Sequence, residues 1–308
     1  NTKKVFGRKN NLKKDVRKKM NDKTKDKIEI LNVESENDST NNKLKSKARV
    51  SNKFGTFAKS KLKVIPLGGM NEIGKNITAF EYENEIVVVD SGLAFPEDDM
   101  LGVDLVIPDI TYLEKNKEKV RALLITHGHE DHIGSVPYLL KKINVPVYGT
   151  KLTLGLIKNK LTEHNLVDST KLKCIEPGDK IQVGKNFKVE FIRVTHSIAD
   201  SVAMAITTPV GTVFHTGDFK VDYTPIDGKP MDLQRIAEIG NKGVLLLMSD
   251  STNVQRPGHT MSERSVGREF DKIFMNCNKR IIVATFASNI HRMQQIINSA
   301  VKYGRKVA

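Results

Sequence analysis

The chain is poor in cysteine. Cys174 and Cys277 are its two thiols, and neither belongs to a CxxC pair. That argues against a disulfide framework and against a thiolate zinc site, and it points to a reducing, cytoplasmic setting. Long apolar runs are also missing. No stretch approaches the roughly 18 uninterrupted apolar residues that cross a bilayer, and the Lys-rich N-terminal residues hold no run of the signal-peptide kind. A membrane-spanning helix is therefore not expected, and no internal repeat of solenoid period is visible.

What the chain does have is positive charge, unevenly placed. Residues 1–60 hold 18 of the 50 Lys+Arg and 7 of the 36 Asp+Glu, a net of +11 out of +14 for all 308 residues. This segment is rich in Lys, Asn, Asp and Ser and poor in large apolar side chains, so it cannot bury enough surface to offset chain entropy. It reads as a disordered basic extension. Either it is a nucleic-acid arm, because lysines near phosphate release counterions, or it is a solubilising tail.

Folded sequence begins near Lys61. Val64–Leu67, Ile77–Phe80, Ile86–Asp90, Arg121–Thr126, Val145–Tyr148, Phe187–Val194, Ser201–Thr207 and Thr212–His215 have strand composition, and Ile133–Lys142 and Leu152–His164 look helical. Strands and helices mixed in this way predict a layered α/β protein. Past Gly243, Val244–Met248 and Ile281–Phe286 read as strands. Thr260-Met261-Ser262-Glu263 fits a capping box opening a helix to about Met275. Ile290, Met293, Ile296, Ile297, Ala300 and Val301 recur at helical spacing, and Arg305–Ala308 looks like the start of another strand.

The strongest chemical signal is Thr126-His127-Gly128-His129-Glu130-Asp131-His132-Ile133-Gly134, with three imidazoles and two carboxylates within six residues. In a loop leaving a buried strand, alternate side chains share a side. His127 and His129 then point together while Asp131 and His132 begin the next helix, so one loop can serve two adjacent metals. Imidazole and carboxylate suit zinc, and also manganese or iron. His196 and Asp218 each follow a strand downstream, and Asp90 ends the strand Val87-Val88-Val89. A carboxylate at that place either orients a ligand imidazole or caps the turn before Ser91-Gly92. Gly69-Met70-Asn71-Glu72-Ile73-Gly74-Lys75 matches the spacing of a phosphate-binding loop. However, the following residue is Asn76 rather than Ser or Thr, and strand rather than helix follows, which speaks against nucleotide binding.

The HxHxDH pattern with a distant His and a distant Asp resembles the metallo-β-lactamase superfamily. More narrowly, Gly68–Asn76, Phe95–Asp98, Thr126–Gly134, His215–Phe219, Ser249–Asn253 and Ala284–Arg292 resemble bacterial ribonuclease J, from about residue 61 onward. The resemblance implies an α/β, αββα sandwich over 61–243, present as its N-terminal part, and the start of a β-CASP domain, the nucleic-acid-specific insert, over 244–308. By the same resemblance His127, His129 and His196 would hold one metal, Asp131 and His132 the second, and Asp218 would bridge both. The cofactors would be two Zn2+, with Mn2+ an alternative. Asp131 would orient or deprotonate the attacking water. Asp90 matches the first superfamily motif and Asp250 the first β-CASP motif. Gly102–Asp104 matches a place where a structural Ca2+ can bind.

The implied activity is 5′-to-3′ exonuclease and endonuclease cleavage of RNA in mRNA decay and rRNA processing. The implied partners are a second copy of the chain, as dimer or tetramer, and RNA-decay proteins. The family's last metal-ligand His and its Ser-Gly-His phosphate segment have no counterpart in these residues. The expectation is therefore a truncated chain that cleaves RNA poorly alone. A small ester or thioester hydrolase and a non-catalytic RNA-binding fragment are the competing readings.

Overall fold

The computed structural model describes residues 28–30 and 60–308. Within the segment expected to be a disordered extension, Ile28–Ile30 forms a short strand, β1. The other residues of that extension up to 59 lie outside the described residues, and so does the expectation about them.

One sheet holds seven strands in sequence order: β1, β2 (Leu62–Gly68), β3 (Ile77–Tyr82), β4 (Glu85–Val89), β5 (Val120–Leu124), β6 (Val147–Gly149) and β7 (Leu172–Cys174). β2 to β4 run antiparallel, and β4 to β7 run parallel. The second sheet has the order β12-β11-β10-β9-β8, from β8 (Lys180–Val183), β9 (Phe187–Arg193), β10 (Val202–Thr208), β11 (Gly211–His215) and β12 (Leu246–Met248).

Period-two side-chain alternation places each strand in two cores. Phe80, Val87, Val89 and Leu124 of the first sheet face Phe187, Val189, Phe191, Met204 and Val213 of the second. The intervening residues Ile77, Ala79, Ile86, Val88 and Leu123 face outward onto helices. These are α1 (Thr111–Lys115), α2 (Glu130–Ile133), α3 (Val136–Lys142) and α4 (Lys151–Glu163). On the far side, Ile192, Val194, Ala203, Ala205 and Phe214 meet Ile236 and Ile239 of α5 (Leu233–Asn241). The result is the expected helix–sheet–sheet–helix sandwich. Because both faces of β3 and β4 are covered, every residue of these two strands is buried, so they read as continuous apolar runs rather than alternating ones.

Four local expectations need correction. The helix expected over 133–142 is broken into α2 and α3, with Gly134 and Ser135 between them. The capping box does not form. Ser262 caps α6 (Glu263–Asn276) by accepting the Arg264 N–H, while Glu263 turns to Lys220 and Arg292. Ile281–Phe286 and Arg305–Ala308 are not strands. Neither finds a ladder partner among the described residues, and Ile282 and Phe286 are 89% and 83% exposed. Between these segments α7 (Ile290–Lys302) packs on α6 through Ser299–Asp271 and through Gln295, which donates to the Glu263 carbonyl. No helix of the described residues is long and apolar enough to cross a membrane.

Candidate metal centre

The strand directions assemble the site. β4 and β5 are parallel, so Asp90 and the loop bearing His127 and His129 leave the first sheet at the same edge. β9 and β11 are both antiparallel to β10, and β12 is parallel to β11. His196, Asp218 and Asp250 therefore also emerge together. Among the described residues two donor groups converge, His127-His129-His196 and His127-His132-Asp218, each with its donor atoms within 4.8 Å of one another.

In the first group His129 Nδ1 lies 3.0 Å from His127 Nε2 and 3.1 Å from His196 Nε2. In the second, His132 Nε2 lies 3.4 Å from Asp218 Oδ1. The other oxygen of Asp218 is 3.8 Å from His196 Nε2, so this carboxylate stands between the groups. Asp131 flanks the second group, its Oδ2 3.5 Å from His132 Nε2.

The far ring nitrogens are also held. Asp90, at φ 60 where Asp is among the tolerated residues, accepts the Thr126 backbone N–H at 2.8 Å and the Thr126 hydroxyl at 2.9 Å. It also accepts the His132 Nδ1–H at 2.8 Å. With its proton committed to Asp90, the Thr126 hydroxyl is left as acceptor for His127 Nδ1, 3.0 Å away. His127 Nε2 and His132 Nε2 are thereby directed inward. His129 is turned the other way, its Nε2 3.3 Å from Ser197 Oγ.

Charge follows burial and neighbours. Burial, followed by the adjoining imidazoles, pushes His127 well below its ordinary range. Burial takes His196 down to about 4 despite the pull of Asp218, and it lowers His129 as well. For His132, burial is outweighed by Asp90, Asp131 and Asp218, and the imidazole is raised well above its usual value. Burial would raise Asp218, but His132 and the other imidazoles hold it down at about 2.

The donor set fits a divalent cation. One ring nitrogen from each of His127, His129 and His196 converges on a common space. Nitrogens at about 2.0–2.1 Å from a tetrahedral zinc lie about 3.3 Å from each other, within a few tenths of an ångström of the separations here. At the second group, the carboxylates of Asp90, Asp131 and Asp218 surround the buried His132 and supply the negative surroundings that a cation would neutralise.

A profile described as "Metallo-beta-lactamase superfamily" matches residues 71–275. The chain belongs to that superfamily. A second profile, "Ribonuclease J, beta-CASP domain", matches residues 278–308. Among curated proteins, Ribonuclease J of Synechocystis sp. is 53% identical over 248 residues, covering 80% of this chain and 39% of that protein. Ribonuclease J of Thermus thermophilus is 53% identical over 253 residues, with 80% and 44% covered. The chain thus spans about two fifths of the length of these relatives. A crystal structure of a protein of unknown function from Enterococcus faecalis V583 shares the fold, with TM-score 0.56 at 18% identity over 76% of this chain and 62% of that one.

His127, His129, His132, His196 and Asp218 converge, Asp131 flanks them, and Asp90 anchors His132. Asp250 is half-buried at the rim, where its Oδ1 accepts the Thr252 N–H. Gly102 and Asp104 sit in an exposed loop, and Asp104 joins neither donor group. The Gly69–Lys75 stretch leads into strand β3 rather than a helix, so it lacks the helix N-terminus that a phosphate-binding loop requires.

Sequence reading assigned no role to Thr126, Ser197, Asn76 or His215. Thr126, Asn76 and His215 stood inside the motifs Thr126–Gly134, Gly68–Asn76 and His215–Phe219, which was the signal that could have found them. His215 Nδ1 accepts the Gly217 N–H at 3.1 Å and so supports the turn that presents Asp218.

Proposed function

We propose that the protein is a two-metal ribonuclease that cleaves RNA 5′-to-3′ as an exonuclease and also internally, in mRNA decay and rRNA processing. The observation that carries this reading is the pair of donor groups sharing His127, with Asp218 between them. It is supported by similarity to ribonuclease J on both sides of the site.

In this reading His127, His129 and His196 bind one cation, His132 and Asp131 bind the second, and Asp218 serves both. Zinc is the expected metal, with manganese competing for the same donors. A structural calcium beside Gly102 and Asp104 belongs to the same reading. When bound, the two cations neutralise phosphate oxygens and acidify water toward a pKa near ~7. The chain's own residues then orient and move protons. Asp131, whose carboxyl burial would raise but His132 holds below its usual value, is ionised and able to accept the proton of the attacking water. Asp90 keeps His132 in the tautomer that presents Nε2.

Residues 61–243 form the catalytic sandwich in this proposal, and 244–308 begin the β-CASP unit, with β12 joining it to the second sheet. A cytoplasmic location, self-assembly as dimer or tetramer and association with RNA-decay proteins complete the proposal.

The test is cleavage of a 5′-monophosphorylated RNA by the metal-loaded protein. His127→Ala, which removes a donor common to both groups, should lower the rate more than about 100-fold, the upper range for residues that merely orient ligands. Undiminished cleavage by His127→Ala with unchanged metal content would overturn the assignment.

A further inference from the structure

The glycine-rich stretch Gly68–Asn76 is followed by a strand and so lacks the helix of a phosphate-binding loop. Its geometry points to one purpose, delivery of the Asn76 side chain to the second donor group. β2 ends at Gly68, where a Cβ would lie 2.1 Å from the Lys75 carbonyl oxygen, so the chain must double back against bare backbone. Gly69, Asn71, Gly74 and Lys75 then adopt φ of 79, 62, 90 and 52, all in the left-handed region. Two of these four are glycine, for which that region is free of strain.

At the end of this tight loop Asn76 makes four contacts with Asp131 and His132, 55 and 56 residues away in sequence. Its backbone N–H donates to the Asp131 carbonyl at 3.0 Å. Its Nδ2 donates to the same carbonyl at 3.0 Å and to Asp131 Oδ2 at 3.2 Å. Nδ2 also lies 3.1 Å from His132 Nε2. A second glycine makes room for the arrangement. A Cβ on Gly92 would fall 1.5 Å from the Asp131 carbonyl oxygen, and Gly92 N–H donates to the Asn76 carbonyl at 3.0 Å.

We infer that Asn76 is a positioning residue for Asp131 and, through it, for the second cation, an inference that rests on the two-metal reading above. A primary amide suits this role because it donates to a carboxylate without adding charge that would compete with a cation. Oδ2 of Asp131, the oxygen that stands 3.5 Å from His132 Nε2, is thereby held in a set direction beside the second donor group. Donors that hold a ligand in this way typically alter metal affinity by about 10- to 100-fold when removed. Asn76 contacts His132 and Asp131 but makes no hydrogen bond to His129 or His196. The effect should therefore be confined to one of the two sites.

The protein, stripped with a chelator and titrated with Co2+, provides the test. Visible absorption follows each site in turn, and thermal melting reports the fold. The unsubstituted protein should take up two Co2+ with distinguishable affinities. Asn76→Ala should leave the tighter site unchanged and weaken the other about 10- to 100-fold. Asn76→Ser, which is too short to reach Asp131 Oδ2, should do the same and serves if the alanine variant does not fold. A folded variant whose two affinities match the unsubstituted protein, or fall by equal factors, would sink the role given to Asn76. Failure of the unsubstituted protein to bind a second Co2+ would instead overturn the two-metal reading on which it rests.

Discussion

At the scale of single residues, the molecule treats buried charge in two ways. In the metal centre, acidic and imidazole groups are brought together and left facing one another, an arrangement suited to a cation. At Glu81 the same burden is resolved by the protein alone. The Glu81 carboxylate, buried in β3, is met by Lys63 at 3.2 Å, by Lys119 at 3.0 Å and by the Tyr112 hydroxyl. Burial would raise its pKa, but Tyr112 and the two ammonium groups outweigh that and hold it below its ordinary 4.5. A lowered carboxylate contributes stability that is present above the unfolded value and lost as pH falls through the folded one. Glu81→Gln should therefore cost about 1–3 kcal/mol near neutral pH, and the penalty should shrink below about pH 4.5. Melting temperatures of both proteins across pH 3–7 check this. Parallel curves would show that the carboxylate charge is not the stabilising feature.

At the scale of elements, β9 carries the argument. Its alternate residues serve two cores, Phe187, Val189 and Phe191 toward the first sheet and Ile192 toward α5, and its end leads to His196. Phe191→Ala should destabilise by about 3–5 kcal/mol through lost contacts and a residual cavity. Lys188→Ala on the exposed side of the same strand should change stability by less than about 0.5 kcal/mol. Urea unfolding of the two variants tests the contrast. Elements with local signals were legible beforehand, including β9, β10, β11 and α4. Ile281–Phe286 was misread for a physical reason. Its apolar, β-branched residues satisfy strand composition, but a strand exists by pairing with a neighbour, and pairing is not a property of the segment. The break between α2 and α3 had a visible cause in Pro137, which stands in the first turn of α3 and has no N–H to give to the Ile133 carbonyl; at Gly134, just before it, a Cβ would meet Leu93 side-chain carbons at 2.3 and 2.4 Å. The close approach that demands glycine there comes from a residue 41 positions earlier.

For the molecule as a whole, the two sheets are joined by a packed apolar interior, and the donor groups at their common edge draw from both. A cation bound there ties the sheets together and stabilises the folded state by mass action. At free metal about a hundredfold above its dissociation constant, the gain is about 2.7 kcal/mol per site. Chelation should then lower the melting temperature by about 5–10 °C for a protein of this size, and zinc added back should restore it. Calorimetry with and without chelator is the measurement. An unchanged transition would mean that the converging imidazoles hold no ion in the folded protein.

The local run from Thr126 to Gly134 was sufficient to mark a metal-binding loop, because a strand, a short loop and a helix start place side chains by backbone geometry alone. Composition was likewise sufficient for a layered α/β architecture, since burial on one or both faces leaves its periodicity in the residues. Strand order and direction bring distant side chains together there: His196, which the resemblance had already named, lies 67 residues from His129, and Asn76 lies 55 residues from Asp131. The inward-facing nitrogen of each imidazole depends on partners such as Asp90 and Ser197 that only folding brings near. Spacing along the chain carries no information about such contacts, because they form through the packing of two sheets.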